Sequence, residues 1–113
     1  MSDTELTCLK TWPFKDQYIF GYVSFAQSIW QWPEACWSKL DENSIFVSAS
    51  TGGYSENEDI ISAMQENFLF WNSIFWAARR GGQYVFLLDQ KEKHSLRALE
   101  QIQNILTHWS HTV

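Results

Sequence analysis

The sequence predicts an α+β fold in which two long helices pack on a small sheet of three or four strands. Apolar residues recur at helical spacing over about 56–80 and 91–109, which predicts the two helices. Runs rich in β-branched and aromatic residues over 17–25, 44–50 and 83–88 have the composition of strands. A chain of 113 residues is long enough to bury one core, so we expect a single domain over 1–113 with two layers.

The first forty residues predict strands followed by a short helix. Residues 4–12 alternate weakly between apolar and polar, which predicts an edge strand that Pro13 ends. The run 17–25 is apolar on both faces and predicts a central strand. Residues 26–40 are ambiguous, because their first part fits a helix and a strand about equally. Pro33 suits the first turn of a helix, so we expect one or two helical turns over 34–40.

The central helix has clear predicted ends. Gly52 and Gly53 break the preceding strand, and Ser55 lies three residues before Glu58, which is the spacing of a capping box. Two arginines lie in the last turn before Gly81, which is able to take the left-handed conformation that ends a helix. A helix from about Glu56 to Arg80 would be about 37 Å long.

Three residues depart from the two-sided pattern of this predicted helix. Asn67 falls on the apolar side, where its amide would either tie down a neighbouring loop or contact a ligand. Leu69 and Trp76 fall on the polar side, where they would form an exposed anchor pair or be covered by another segment. The predicted partner-binding residues are therefore this pair and its polar neighbours: Leu69, Trp76, Asn72, Ser73 and Arg80.

The C-terminal third predicts a strand and an amphipathic helix. Residues 83–88 form the strand, and apolar residues recur at three and four from Leu96 to Trp109. The strand–helix–strand unit over 44–88 fits parallel pairing, although the sequence leaves mixed and antiparallel sheets open.

Composition restricts the class of protein. Apolar residues make up 45% and charged residues 19%, as in ordinary globular proteins, but 17% are aromatic and seven are tryptophan. This ring surface either fills the core or lines a contact surface. No apolar run is long enough for a membrane span, and no signal peptide is visible, so we expect a cytoplasmic protein with Cys8 and Cys36 as free thiols.

The net charge of −5 is unevenly distributed along the chain. Ten acids face three lysines up to Glu66, and five bases face three acids after it. This balance disfavours nucleic acid as a partner and favours a basic protein surface.

A search for chemistry finds one weak ligand motif. Glycines before a helix start resemble an anion site, but the lysine of a P-loop is missing and the first turn is acidic. The polar residues that would serve a small ligand are Thr51, Gly52, Gly53, Ser55, Glu58 and Asn67. His94, His108 and His111 do not form a metal-ligand pattern, and no nucleophile motif is present. We predict no cofactor and no metal, and the pattern favours a non-enzymatic protein.

The stretch from Ser48 to Phe86 carries a resemblance. Its STGGYS turn, the NEDII segment, the Phe70-Trp71 pair and the RRGG turn before Tyr84 and Phe86 resemble a pattern in small uncharacterised proteins of bacteriophages and prophages. The resemblance covers about a third of the chain and implies a bacterial cytoplasm and a mobile-element context. It brings no activity and no catalytic residues.

Two function classes follow. The first is a non-enzymatic protein-binding module, for instance a phage-encoded modulator or inhibitor of a host protein. The alternative is a phosphate or nucleotide binder, or an enzyme, that uses the glycine turn at the start of the central helix. A homo-oligomer that buries the Trp76 face is a third possibility.

Overall fold

The computed structural model describes residues 3–13, 19–92 and 95–111, with the side chains of 108–111 left out of the description. Its helices are α1 (Asp3–Thr11), α2 (Ile19–Ser28), α3 (Pro33–Cys36), α4 (Ser55–Glu66), α5 (Phe68–Ile74) and α6 (Leu96–His111). Its strands are β1 (Phe46–Ser50), β2 (Phe75–Arg79) and β3 (Gln83–Leu87), and a 3-10 turn covers Gln90–Glu92. The α+β fold class is confirmed.

The strands form one antiparallel sheet in the order β1-β3-β2. Phe46 of β1 pairs with Leu87 of β3, and Arg79 of β2 pairs with Gln83 across a hairpin. The parallel arrangement that the strand–helix–strand unit suggested does not form. It is excluded because β2 intervenes after α5, and the chain then turns back along it into β3.

The two faces of the sheet are covered by different helices. Val47, Ala49 and Phe86 point into the main core, where Tyr22 of α2 stacks on Phe70 of α5 at 4.2 Å. The alternate residues of the strands form a second cluster with Ala98 of α6: Phe46, Val85 and Leu87. Because successive strand residues face opposite sides, α6 lies on the opposite face from α4, so helices cover both faces of the sheet and add a third layer to the two that the sequence predicted.

The prediction of one helix from Glu56 to Arg80 is wrong. The helix breaks at Asn67, whose φ of −84° and ψ of 79° are not helical, and α5 ends at Ile74. The residues that follow, Phe75–Arg79, pair with β3 as the edge strand β2, and this pairing stabilises them as a strand and not as a helix. Gly81 and Gly82, both at positive φ, make the hairpin turn and do not end a helix.

The two N-terminal strands that the sequence predicted are also wrong. Residues 4–12 lie mostly in α1, which packs along α4 and buries Leu9. The described part of 17–25 belongs to α2, whose buried residues Ile19, Tyr22, Val23 and Ala26 have the i, i+3, i+4, i+7 spacing of a helix face. Residues 17 and 18 lie outside the described residues.

The remaining predictions are close to the structure. The strands at 44–50 and 83–88 are confirmed as β1 and β3. The helical turns at 34–40 shrink to α3, after which Trp37 bridges Ala49 at the edge of β1. The last helix starts at Leu96 and not at Lys91, because a 3-10 turn occupies Gln90–Glu92. No helix in the described part of the chain is long and apolar enough to cross a membrane.

Candidate protein-binding surface

Asn67 separates α4 from α5 and thereby sets the direction of α5. Its side chain is 8% exposed, and its Nδ2 donates to the carbonyl oxygens of Leu9 at 2.9 Å and Trp12 at 3.1 Å. The amide thus satisfies the C-terminal end of α1 and holds the loop after it. Both hydrogens of the amide are used. Asn67 thus makes the loop-anchoring contacts that were one of the two alternatives offered by the sequence.

The segment after this break exposes three large apolar side chains, and we define the α5 patch as these residues, Phe68, Leu69 and Phe75, together with Asn72. Phe68 is 68% exposed, Leu69 57% and Phe75 37%. Phe68 and Asn72 lie at i and i+4 on one side of α5, and Phe75 follows directly after its last residue, Ile74. Large apolar side chains grouped in this way are typical of interaction sites rather than of scattered surface residues.

The α5 patch is supported from beneath by aromatic rings. Trp71 stacks on Phe75 with ring centroids 5.0 Å apart. Its other contacts are edge-to-face, with Tyr84 at 6.1 Å and Phe86 at 5.9 Å. Phe86 is fully buried in the core. The exposed Phe75 ring is therefore fixed by a chain of ring contacts that reaches the interior, which reduces the conformational entropy lost on binding.

The structure divides the predicted partner-binding residues among three places. Leu69 and Asn72 are exposed on α5, and Ser73 beside them is half-buried, with its carbonyl oxygen accepting from Gln90 Nε2 at 2.8 Å. Trp76 lies in β2, half-buried, with its ring 5.3 Å from that of Phe46 in the cluster on the α6 side. Arg80 is exposed in the hairpin turn.

Leu69 and Trp76 are consequently not an anchor pair on one helix. Because the helix ends at Ile74, the seven-residue spacing that placed them side by side in the sequence pattern does not apply. Phe68 and Phe75 are the large apolar residues that are exposed in the same segment as Leu69.

The predicted ligand turn is held closed by its own backbone. Thr51 is 2% exposed; its N–H donates to the Gly82 carbonyl oxygen at 2.9 Å and its carbonyl oxygen accepts from Tyr54 N at 3.0 Å. Gly52 and Gly53 are exposed and have φ of 61° and 80°. These bonds stabilise the connection between β1 and α4 and leave the glycines as a tight turn.

The capping box is not formed. Ser55 is the first helical residue of α4, the cap position falls on Tyr54, and no side chain caps the helix there. Ser55 and Glu58 are both exposed. Glu58 and Asn67 lie at opposite ends of α4, about 13 Å apart along its axis. The structure therefore does not bring the predicted polar residues together into one site.

Asn57 is a positioning residue that the sequence pattern did not single out. It is completely buried, although the acidic first turn of a helix suggests solvent exposure. Its Oδ1 accepts from Gln31 N at 2.7 Å, and its Nδ2 donates to the carbonyl oxygens of Gln31 and Thr51, both at 3.1 Å. Asn57 thus ties the loop after α2 to the turn before α4.

The remaining reactive groups serve the core or lie apart from the α5 patch. Burial raises the pKa of the Tyr22 hydroxyl, with a smaller contribution from Cys8, and this hydroxyl donates to the Leu9 carbonyl oxygen at 3.2 Å. Cys8 and Cys36 are free thiols. Within the described residues no group of His, Cys, Asp and Glu is placed to hold a metal ion; His94 and the side chains of His108 and His111 lie outside the described residues.

A surface cavity of about 440 Å³ lies between α2, α3 and the segment that follows α3. Gln27, Glu34, Trp37 and Lys39 are among its lining residues, and none of the predicted ligand residues belongs to it. No protein-family model, curated protein or solved structure matches this chain.

Proposed function

We propose that this chain is a small, acidic, non-enzymatic protein-binding module that docks on its partner through the α5 patch. The observation that carries this proposal is the exposure of Phe68 and Leu69, at 68% and 57%, beside a Phe75 ring held by Trp71. Large apolar side chains exposed together on a small domain mark interaction sites, and a rigid support lowers the entropy cost of binding.

The partner in this proposal is a bacterial protein with a basic surface. The net charge of −5 supports a partner of opposite sign, because complementary charge raises the association rate and excludes other acidic proteins. From the resemblance to small phage and prophage proteins we further propose that this chain is a mobile-element modulator or inhibitor that acts in the bacterial cytoplasm. The alternative, a small-ligand site at the turn over 51–55, is less well supported, because backbone hydrogen bonds close this turn and Glu58 and Asn67 lie about 13 Å apart along α4.

The test is capture from a bacterial lysate with the tagged chain, followed by titration of the identified partner. The Phe68→Ala, Leu69→Ala double variant removes exposed side chains, so it keeps the core intact. We expect it to bind the partner at least about tenfold more weakly, since loss of a hot spot weakens binding by 1.4 kcal/mol or more.

Leu96→Ala is the matched control, because Leu96 is 80% exposed on α6, on the opposite side of the sheet. A partner that binds both variants as tightly as the original chain would exclude the α5 patch as the interface. Light scattering of the purified chain separates self-association from binding to another protein: a dimer that the double variant abolishes would make a second copy the occupant.

A further inference from the structure

We propose that a second surface, the Trp32 corner, binds the side chain of an arginine on a basic protein partner. The Trp32 corner is defined as Trp32, Tyr54 and Glu56, with Gln31 and Cys36 beneath them. The inference rests on the proposed function in that it names the chemistry of a partner, but the site is separate from the α5 patch and is tested separately.

Two aromatic side chains meet solvent at this corner. Trp32 is 56% exposed and Tyr54 43%. Cys36 connects them: its N–H donates to the Trp32 carbonyl oxygen at 3.1 Å. On the other side, a Cβ added at Gly52 would lie 3.3 Å from Cys36 Sγ and 3.2 Å from the Tyr54 ring. The Tyr54 ring and the Cys36 thiol therefore border the same glycine, the backbone of Cys36 is bonded to that of Trp32, and both rings are exposed.

The backbone of Trp32 is held in a conformation that non-glycine residues avoid. Its φ is 57° and its ψ 56°, in the left-handed region. The preceding residue is fixed on both its N–H and its carbonyl oxygen by the buried Asn57 side chain. Strained residues that the surrounding structure fixes are concentrated at functional sites. The backbone from which the indole projects is therefore held by hydrogen bonds to a buried side chain.

A carboxylate lies beside the indole. In the amide orientation that satisfies both neighbours, Gln31 donates to Glu56 Oε2 at 3.2 Å and accepts from Trp32 Nε1 at 3.2 Å. This bridge uses the indole N–H, leaves the face of the ring available, and occupies one oxygen of the carboxylate. Glu56 is exposed and has no ion pair within the residues that the structure describes.

The chemistry of this corner matches a guanidinium group. Arginine stacks on the face of tryptophan or tyrosine, and its planar N–H groups donate to a carboxylate at the same time. Glu58 and Asp59 in the same helical turn add negative potential and exclude an anion. A short basic segment of a partner therefore fits the aromatic faces, the carboxylate and the negative potential of this corner together.

The Trp32 corner and the α5 patch lie at the two ends of α4. This helix has 12 residues, so its ends are about 18 Å apart. A single folded partner that contacts both surfaces would have to present a basic side chain and an apolar groove at that separation.

The test is a titration of the intact, ¹⁵N-labelled chain with the probe peptide acetyl-Gly-Arg-Gly-amide at low ionic strength. The readout is the indole Nε1–H resonance of Trp32, assigned by its loss in Trp32→Gly. Glycine adopts a φ of 57° freely, so this variant keeps the loop conformation. We expect a saturable shift of that resonance, and about tenfold weaker binding of the peptide in which neutral citrulline replaces arginine.

Two carboxylate variants with the same change of net charge locate the site. Glu56→Gln is expected to weaken binding of the arginine peptide about threefold, because it removes the charge nearest the indole. Glu58→Gln, in the same turn, is the comparison variant and is expected to weaken binding less than Glu56→Gln, because Glu58 contributes only to the surrounding potential and is not bridged to the indole. Unperturbed backbone spectra of both variants establish that each is folded.

Three results would overturn the inference: no shift of the Trp32 resonance, an equal affinity for the citrulline peptide, or equal losses in the two carboxylate variants. The Phe68→Ala, Leu69→Ala variant should bind the arginine peptide like the original chain. If the peptide does not bind while the α5 patch still captures a partner, only the Trp32 corner is refuted. If the peptide binds and no partner depends on the α5 patch, only the proposed function is refuted.

Discussion

Replacing Asn57 by alanine is expected to lower the free energy of unfolding by about 3 kcal/mol. The side chain is completely buried and makes three hydrogen bonds to backbone groups of Gln31 and Thr51. A buried hydrogen bond contributes about 1 kcal/mol to stability, and loss of its partner leaves a backbone group unsatisfied. A small domain is stable by only about 5–15 kcal/mol, so this is a large fraction of its stability.

The measurement is urea unfolding at pH 7, followed by far-UV circular dichroism and by tryptophan fluorescence. With an m-value of about 2 kcal/mol/M, the expected loss moves the midpoint down by about 1.5 M urea. Asn57→Asp keeps the acceptor for Gln31 N but removes both donors and buries a charge. It should be at least as destabilising at pH 7, and its deficit should shrink at acidic pH, where a protonated carboxyl is able to donate again.

Asn72→Ala is the matched control, since Asn72 is exposed on α5, and we expect a change within about 0.5 kcal/mol. The reasoning would be refuted if Asn57→Ala cost less than about 1 kcal/mol, or no more than the control. Such a result would mean that water replaces the amide, and that the Asn57 side chain does not hold the loop that carries Trp32.

Three further perturbations test other parts of the structure. The folded-state pKa of Tyr22 lies above its unfolded value of 10.0, so its contribution to stability is complete below pH 10 and is lost at higher pH. In urea unfolding above pH 10, Tyr22→Phe should therefore reduce the decline of the free energy of unfolding by about 1.4 kcal/mol per pH unit. Gly82→Ala should lower the melting temperature more than Gly81→Ala in thermal scans, since both have positive φ but only at position 82 would a Cβ collide with the Thr51 side chain. Asn67→Asp should cost about 2–3 kcal/mol in urea unfolding, because it replaces two donated hydrogen bonds by contact between a carboxylate and carbonyl oxygens; a loss under about 1 kcal/mol would contradict the role assigned to this amide.

Part of the fold is determined by signals that are local in the sequence. β1 and β3 are short β-branched runs bounded by turn residues, and the apolar spacing from Leu96 predicts α6. α2 was assigned to a strand because aromatic and β-branched composition outweighed its helical spacing. That spacing is present in the sequence at Ile19, Tyr22, Val23 and Ala26, so the error lies in the weight given to composition.

The division of the central segment depends on non-local contacts. The helical pattern of 56–80 is continuous in the sequence, but pairing with β3 stabilises Phe75–Arg79 as a strand. Asn67 marks the break only because the carbonyl oxygens of Leu9 and Trp12 are there to bind it. The exposure of Leu69 was one of two predicted alternatives, whereas that of Phe68 and Phe75 follows from the break and was not predictable from spacing.

The order of the sheet has a consequence for how the chain folds. β2 and β3 are joined by a tight glycine hairpin, whereas β1 reaches β3 only after residues 51–82 have folded back. Closing a longer loop costs more entropy, and an isolated hairpin forms within about 1–10 μs. We therefore expect β2 and β3 to pair first and β1 to join later, with Ser38 and Gln101 completing its outer edge. The strand that comes first in the sequence is the last to enter the sheet.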